Sequence, residues 1–335
     1  MRHTRLGNTD VLVSELSFGC GGTGGLLTKG TLREQEKVIG AAIERGVNYF
    51  DTSPGYPGSE EALGRVLATT GGDPVISTKF ELTPGDLETP QALSRAIRAS
   101  VDRSLTRLGA ERLSVLQLHN KLGLDQGAAP EPDGGAVVTK GDVLRDGGIL
   151  SVLRDLQQQG KVAHLGFTCL GAVAPAKELL AAGEFDTAIV FYSLLNPSAA
   201  YRMPVSFRHK DYENVIGMAK DAGVGVTVIR PLGAGALTSA EGLHPMAKAF
   251  SGLAIAELEA DRVRARAYSF LAREGQSLAQ AALRFVVRTP GVSTALVGFS
   301  DVEQVSELCD CVESGGLTAA EFSALAALYA GSWIL

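Results

Sequence analysis

Eight short apolar runs, each followed by a longer stretch of helical periodicity, constrain this chain more than any other feature of its sequence. They are ELSFG (15–19), VNYF (47–50), VIST (75–78), LSVLQL (113–118), VAHLGF (162–167), TAIVF (187–191), VGVTVI (224–229) and STALVGF (293–299). A strand with one wet face alternates apolar and polar residues, whereas a strand covered on both faces reads as a nearly continuous run. The segments between them carry helix signals. Thr31 with Glu34 forms a capping box and Gly46 ends that helix, while Thr89, Pro90 and Gly109 mark the cap, first position and terminator of another. Ser277 with Gln280 and Asp301 open two more. Eight strand–helix units predict a (β/α)8 barrel filling residues 1–335 as one domain. A doubly wound open sheet is the competing layout, but the Gly-rich GCGGTGG at 19–25 lacks the G-x-G-x-x-G spacing expected after its first strand.

The composition narrows the partners. With 45% hydrophobic and 20% charged residues and a formal charge of −6, the chain argues against nucleic acid or anionic membranes as partners. The N-terminal MRHTRLGNTDVLV has no apolar signal segment, and no run approaches the about 20 apolar residues that span a bilayer. Four cysteines are too few for a disulfide framework, and the C-x-C pair Cys309 and Cys311 has no second pair at metal-ligand spacing. A cytoplasmic protein without a metal site is expected.

Two segments interrupt the repeat. Residues 120–146 are rich in Gly, Pro and Asp, and residues 192–210 carry Tyr192, Tyr201, Phe207 and Arg208. Both follow strands, so in a barrel both lie over the C-terminal mouth, where long loops shape a substrate pocket.

The strand ends carry the chemistry. In GVNYFDTSPGYPGSEEALG (46–64) an apolar run delivers Asp51 to its end, with Tyr56 in the loop beyond. VISTKF places Lys79, and LSVLQLHN places His119, at equivalent positions of the next two strands. Neighbouring strands lie about 5 Å apart, so these side chains converge at one mouth. A buried carboxylate needs a partner, and Lys79 supplies it. The ammonium is expected to lower the pKa of the Tyr56 phenol, making it a proton donor to a carbonyl oxygen, with His119 hydrogen-bonding the substrate or the phenol.

These residues resemble the aldo-keto reductase superfamily over nearly the whole chain. Matching stretches include RLGNTDVLVSELSFGCGG, GVNYFDTSPGYPGSEEALGRVL, VISTKF, LSVLQLHN, GKVAHLGFT, FYSLLNPS, VIRPLGAGALTS and ALVGFSDVEQVSEL. The resemblance implies a barrel with an N-terminal hairpin, a catalytic tetrad of Asp51, Tyr56, Lys79 and His119, and a nicotinamide cofactor bound without a Rossmann domain. It implies that Tyr192 stacks on the nicotinamide, that Thr168 faces its carboxamide, and that Leu232, Gly233 and Leu237 wrap the pyrophosphate. Gly298, Ser300, Gln304 and Glu307 fall at the adenosine end. Cys169 and Ile189 depart from the Asn and Gln that commonly hold the carboxamide, and Ser114 replaces a common acidic residue. NADP(H) is the family default, with NAD(H) or dual use as alternatives because GFSDVEQ lacks a cation for the 2′-phosphate.

The leading expectation is an oxidoreductase acting on small-molecule aldehydes and ketones, or on the corresponding alcohols or sugars. A cofactor-binding sensor with little turnover, resembling potassium-channel β subunits, is the alternative from another class, and a lyase or isomerase on the same barrel is a third.

Overall fold

The computed structural model describes residues 1–21, 24–70, 74–124, 131, 134–205, 207–238 and 255–331. Twelve strands form among them: β1 (His3–Arg5), β2 (Leu12–Ser14), β3 (Leu16–Gly19), β4 (Tyr49–Asp51), β5 (Val75–Phe80), β6 (Leu113–Leu118), β7 (Lys121–Gly123), β8 (Val137–Thr139), β9 (Val162–Thr168), β10 (Thr187–Phe191), β11 (Gly225–Ile229) and β12 (Val292–Val297). Eight of them close a parallel barrel in the order β3-β4-β5-β6-β9-β10-β11-β12. Each barrel strand grows from one of the eight apolar runs.

The runs are continuous because their two faces enter two cores. Phe18, Phe50, Leu116, Phe167, Ala188 and Val190 point outward into the main core under the helices. Tyr49, Val115 and Leu296 point inward and meet Leu6 and Val13 from the N-terminal hairpin. That hairpin, β1 antiparallel to β2, plugs the barrel floor. Gly7 sits there at φ +60°, and a Cβ on it would fall 2.3 Å from Gly225 N, so no other residue fits.

The helix signals hold. The helix Leu32–Glu44 has its capping box, and Pro90–Leu108 is capped by Thr89 and ends at left-handed Gly109. Leu278–Val287 opens on Ser277 and Val302–Glu313 on Asp301. Ser114 has a local duty, accepting a hydrogen bond from Ile76 N at 3.1 Å.

The insertion after β6 contains the short parallel pair β7–β8, followed by a helix, Lys140–Leu144. Asn120 pins it to the rim, accepting from Leu82 N at 2.9 Å and donating to Leu82 O and Ala136 O. The rest of the insertion, 125–130 and 132–133, lies outside the described residues, as does Ser206 in the second one. Among the described residues no helix is long and apolar enough to cross a membrane.

Candidate active site

The barrel register brings the strand-end residues to one face. Asp51 pairs with Ser77, and Lys79 with Gln117, so the inward faces of β4, β5 and β6 carry Asp51, Lys79 and the approach to His119 side by side. Lys79 is 2% exposed and Asp51 4%. The Lys79 ammonium donates to Asp51 Oδ1 and, at 2.7 Å, to Thr52 O. It also lies 5.0 Å from the centre of the Tyr56 ring.

The Tyr56 loop is a tight device. Tyr56 N donates to Ser53 O at 3.0 Å and Ser59 N to Tyr56 O at 3.0 Å. Ser59 Oγ lies 2.9 Å from Thr52 Oγ1 and donates to Cys20 O, tying the start of the next helix to β3 and β4. Gly21 packs flat against the phenol: a Cβ there would stand 3.1 Å from Tyr56 Cε2 and Cζ. The sequence offered only a Gly-rich run for this contact.

The electrostatics correct one expectation. Burial raises the Tyr56 pKa; Lys79 opposes that rise, while Asp51 adds to it. The phenol is therefore less acidic than a free tyrosine, not more, because the Lys79 charge is shared with Asp51. Burial pushes the Asp51 carboxyl up against the pull of Lys79, while Asp51 outweighs burial at Lys79 and keeps its ammonium protonated. Burial, then Lys79, lowers His119 to about 3, so its imidazole is neutral. His119 Nδ1 lies 2.8 Å from Thr168 Oγ1, and the Thr168 hydroxyl is thus engaged inside the site.

The residues assigned to a cofactor are placed unevenly. Tyr192 faces outward: its ring stacks on Phe285 at 5.4 Å and its hydroxyl lies 2.9 Å from Thr289 Oγ1, with 1% exposure. Phe191 is the ring on the inward register, paired with Ile229, which packs on the barrel-interior cluster. The Arg230 guanidinium lies 5.0 Å from the Phe191 ring, on a strained backbone at φ +55°. Neither Phe191 nor Arg230 was singled out from the sequence; strict alternation along β10 is the signal that finds the first.

Leu232, Gly233 and Leu237 lie in the tight turn after β11, where Gly233, Ala234 and Gly235 all have positive φ. Leu237 is fully buried and offers only its backbone. Ser300 Oγ donates to Gly24 O at 2.8 Å, and Ser300 N donates to Gln304 Oε1 at 2.9 Å. Gly298 is approached so closely by Gly24 that a Cβ on the latter would fall 2.8 Å from its Cα, which accounts for one glycine of the 19–25 run. Glu307 Oε1 accepts from Ser277 Oγ at 3.1 Å.

Comparison with known proteins gives a consistent set of likenesses. The model of the Aldo/keto reductase family matches residues 15–330. L-galactose dehydrogenase of Arabidopsis thaliana is 26% identical over 90% of this chain and 85% of its own. L-glyceraldehyde 3-phosphate reductase of Escherichia coli (strain K12) is 25% identical over 92% and 86%. Among solved structures, the holo form of an aldo-keto reductase from Bacillus halodurans is 22% identical, covers 98% of this chain and 96% of its own, and superposes with a TM-score of 0.69.

Proposed function

This chain belongs to the aldo/keto reductase family and is an oxidoreductase, and from that premise we propose that it interconverts the carbonyl and alcohol groups of small molecules, with Tyr56 as the proton donor and acceptor. The supporting observation is the buried Lys79 ammonium, held by Asp51 and Thr52 O and lying beside the Tyr56 ring. A net-neutral Lys79–Asp51 pair leaves the phenol protonated at neutral pH, the state in which it donates to a carbonyl oxygen. Neutral His119 contributes a hydrogen bond without competing as an acid.

The residues present fit a nicotinamide dinucleotide. Asp301 caps Gln304 N of the helix Val302–Glu313, which leaves the other first-turn amides for an anion. Arg230 adds a cation at the end of β11, and Phe191 a ring at the inward end of β10. Thr168 donates from the β9 end; Leu232, Gly233 and Leu237 line the turn, and Gly298, Ser300, Gln304 and Glu307 the far end. When bound, the dinucleotide supplies the hydride that reduces the carbonyl carbon. Tyr56 then gives its phenolic proton to the oxygen, and Lys79 steadies the phenolate that remains.

Residues 298–307 carry Asp301, Glu303 and Glu307 and no Lys or Arg, which supports use of NAD(H) beside NADP(H). L-galactose and L-glyceraldehyde 3-phosphate, the compounds in the relatives' names, head the substrates to screen. All four cysteines are free and buried, which supports a reducing compartment, the cytoplasm.

Reduction of 4-nitrobenzaldehyde by the purified protein with NADPH or NADH tests the reading. Tyr56→Phe is expected to slow turnover by about 10²- to 10⁴-fold. Wild-type rates in that variant remove Tyr56 from its role, and tight cofactor binding with no wild-type turnover points instead to a sensor.

A further inference from the structure

A second polar layer lies inside the barrel, beneath the Lys79–Asp51 pair. Tyr49, Ser77, Gln117, Thr187 and Thr227 form it, all fully buried. Gln117 Nε2 donates to Ser77 Oγ at 3.1 Å. Tyr49 Oη, Asp51 Oδ2, Gln117 Oε1, Thr187 Oγ1 and Thr227 Oγ1, by contrast, are buried with no hydrogen-bond partner in the protein. Each such atom is costly unless something inside the barrel pairs with it.

These atoms are neighbours. Register sets Lys79 beside Gln117, Gln117 beside Gly166, and Gly166 beside Thr187. Gly166 is the gap in that row: a Cβ on it would fall 2.2 Å from Thr187 Oγ1 and 3.0 Å from Gln117 Oε1, so both oxygens face the space that its missing side chain leaves. Ser77 sits close enough to influence the protons of both Asp51 and Tyr49, and Thr227 does the same to Tyr49. Leu6, Val13, Val115 and Leu296 seal the floor below.

We propose that this layer encloses bound water that hydrogen-bonds Asp51 Oδ2 from beneath, and that Gln117 and Thr187 are positioning residues which, through that water, keep Asp51 ionised and aimed at Lys79. The inference deepens the assignment of Lys79 and Tyr56 above and rests on it for its catalytic consequence.

The chemistry selects the occupant. Hydroxyls that donate or accept, a carboxylate oxygen and an amide oxygen together suit water, which makes about three bonds in such sites. The Lys79 ammonium overhead repels a metal cation from the same space. A carboxylate with one oxygen on Lys79 and the other facing an apolar wall would drift toward its neutral form, and donors to the second oxygen reverse that drift. Loss of the Asp51 charge would release Lys79 from its counter-ion and loosen its hold beside Tyr56. The other titratable groups facing Asp51 are Tyr49 on its own strand, Tyr56 in the next loop and Cys20 after β3.

The test compares Thr187→Val, which keeps the shape and removes the hydroxyl, with Thr187→Ser, which keeps the hydroxyl. Thr187→Val is expected to lower Tm and move the acid limb of kcat upward by half a pH unit or more, with KM and cofactor Kd unchanged. Thr187→Ser is expected to restore both. A raised Tm with an unmoved pH profile would show the hydroxyl to be unpartnered and overturn the proposal. If Thr187→Val does not fold, a high-resolution crystal structure of the wild type decides: ordered water within reach of Asp51 Oδ2 supports the layer, and a dry or cation-filled interior overturns it. Tm and crystallography need no turnover, so they judge the water layer even if the protein proves inactive, an outcome that would count against the catalytic reading alone.

Discussion

His119 and Thr168 stand at the ends of neighbouring barrel strands, with His119 Nδ1 2.8 Å from Thr168 Oγ1. The contact fixes one imidazole nitrogen and leaves the other to serve the mouth. It also sets a pH dependence. Burial, then Lys79, lowers His119 to about 3 in the folded protein, against about 6.5 in the unfolded chain. Above the unfolded value both states are neutral and His119 costs nothing. Below it the unfolded chain takes up a proton that the folded protein refuses, so stability falls as the pH drops from about 6.5 toward about 3, by up to about 1.4 kcal/mol per unit. Urea unfolding at several pH values should show a flatter acid-side slope for His119→Gln than for wild type. Parallel curves would mean that the folded imidazole titrates freely.

The Lys79–Asp51 pair makes an asymmetric stability prediction. Lys79→Met leaves a buried carboxylate without its cation and is expected to cost about 3–5 kcal/mol. Asp51→Asn keeps a polar acceptor near the ammonium and its cost should be smaller. The double variant Lys79→Met with Asp51→Asn removes both charges and should recover part of the loss. Denaturant titrations of the three proteins give the coupling energy directly. Additive costs would argue that the two groups do not share one buried contact.

Much of this arrangement was legible as strand ends. Asp51, Lys79 and His119 each close a continuous apolar run, and counting residues along parallel strands was enough to place them together. What could not be counted was the balance of charge: the Lys79 ammonium reads as a force that acidifies Tyr56 until burial and Asp51 are set against it. Facing was equally hidden. In TAIVFY every residue is apolar or aromatic, so composition cannot say whether Phe191 or Tyr192 looks inward. The short strands β7 and β8 were lost in a Gly- and Pro-rich segment whose order comes from Asn120 and the rim rather than from its own pattern.

Gly21 sets the position of the Tyr56 ring and gives a third prediction. An added methyl would meet ring carbons at 3.1 Å on one side, and Lys79 stands close to the ring as well. Gly21→Ala should therefore shift the phenol rather than unfold the barrel. Because a displacement of about 1 Å can cost as much as 10²-fold, kcat is expected to fall by about one to two orders of magnitude, with cofactor Kd little changed. A variant with wild-type kcat would show that the ring has room to yield without losing its aim.

Phe191 and Tyr192 offer the sharpest comparison, because adjacent residues on one strand point to opposite faces. Phe191 shares its face with Ile229 and carries the Arg230 guanidinium on its ring, whereas Tyr192 is locked between Phe285 and Thr289 under the helix layer. If a nicotinamide packs against an aromatic ring at this strand end, that ring is Phe191. Phe191→Ala should weaken dinucleotide binding by about tenfold, equivalent to about 1.4 kcal/mol and within the range of a lost aromatic contact plus its buried area. Tyr192→Phe should leave Kd unchanged and lower stability by about 1 kcal/mol through the lost Thr289 bond. Fluorescence titration of both cofactors and thermal unfolding of both variants separate the roles. The reverse pattern, with Tyr192→Phe loosening the cofactor and Phe191→Ala only softening the fold, would mean that β10 turns its other face to the ligand.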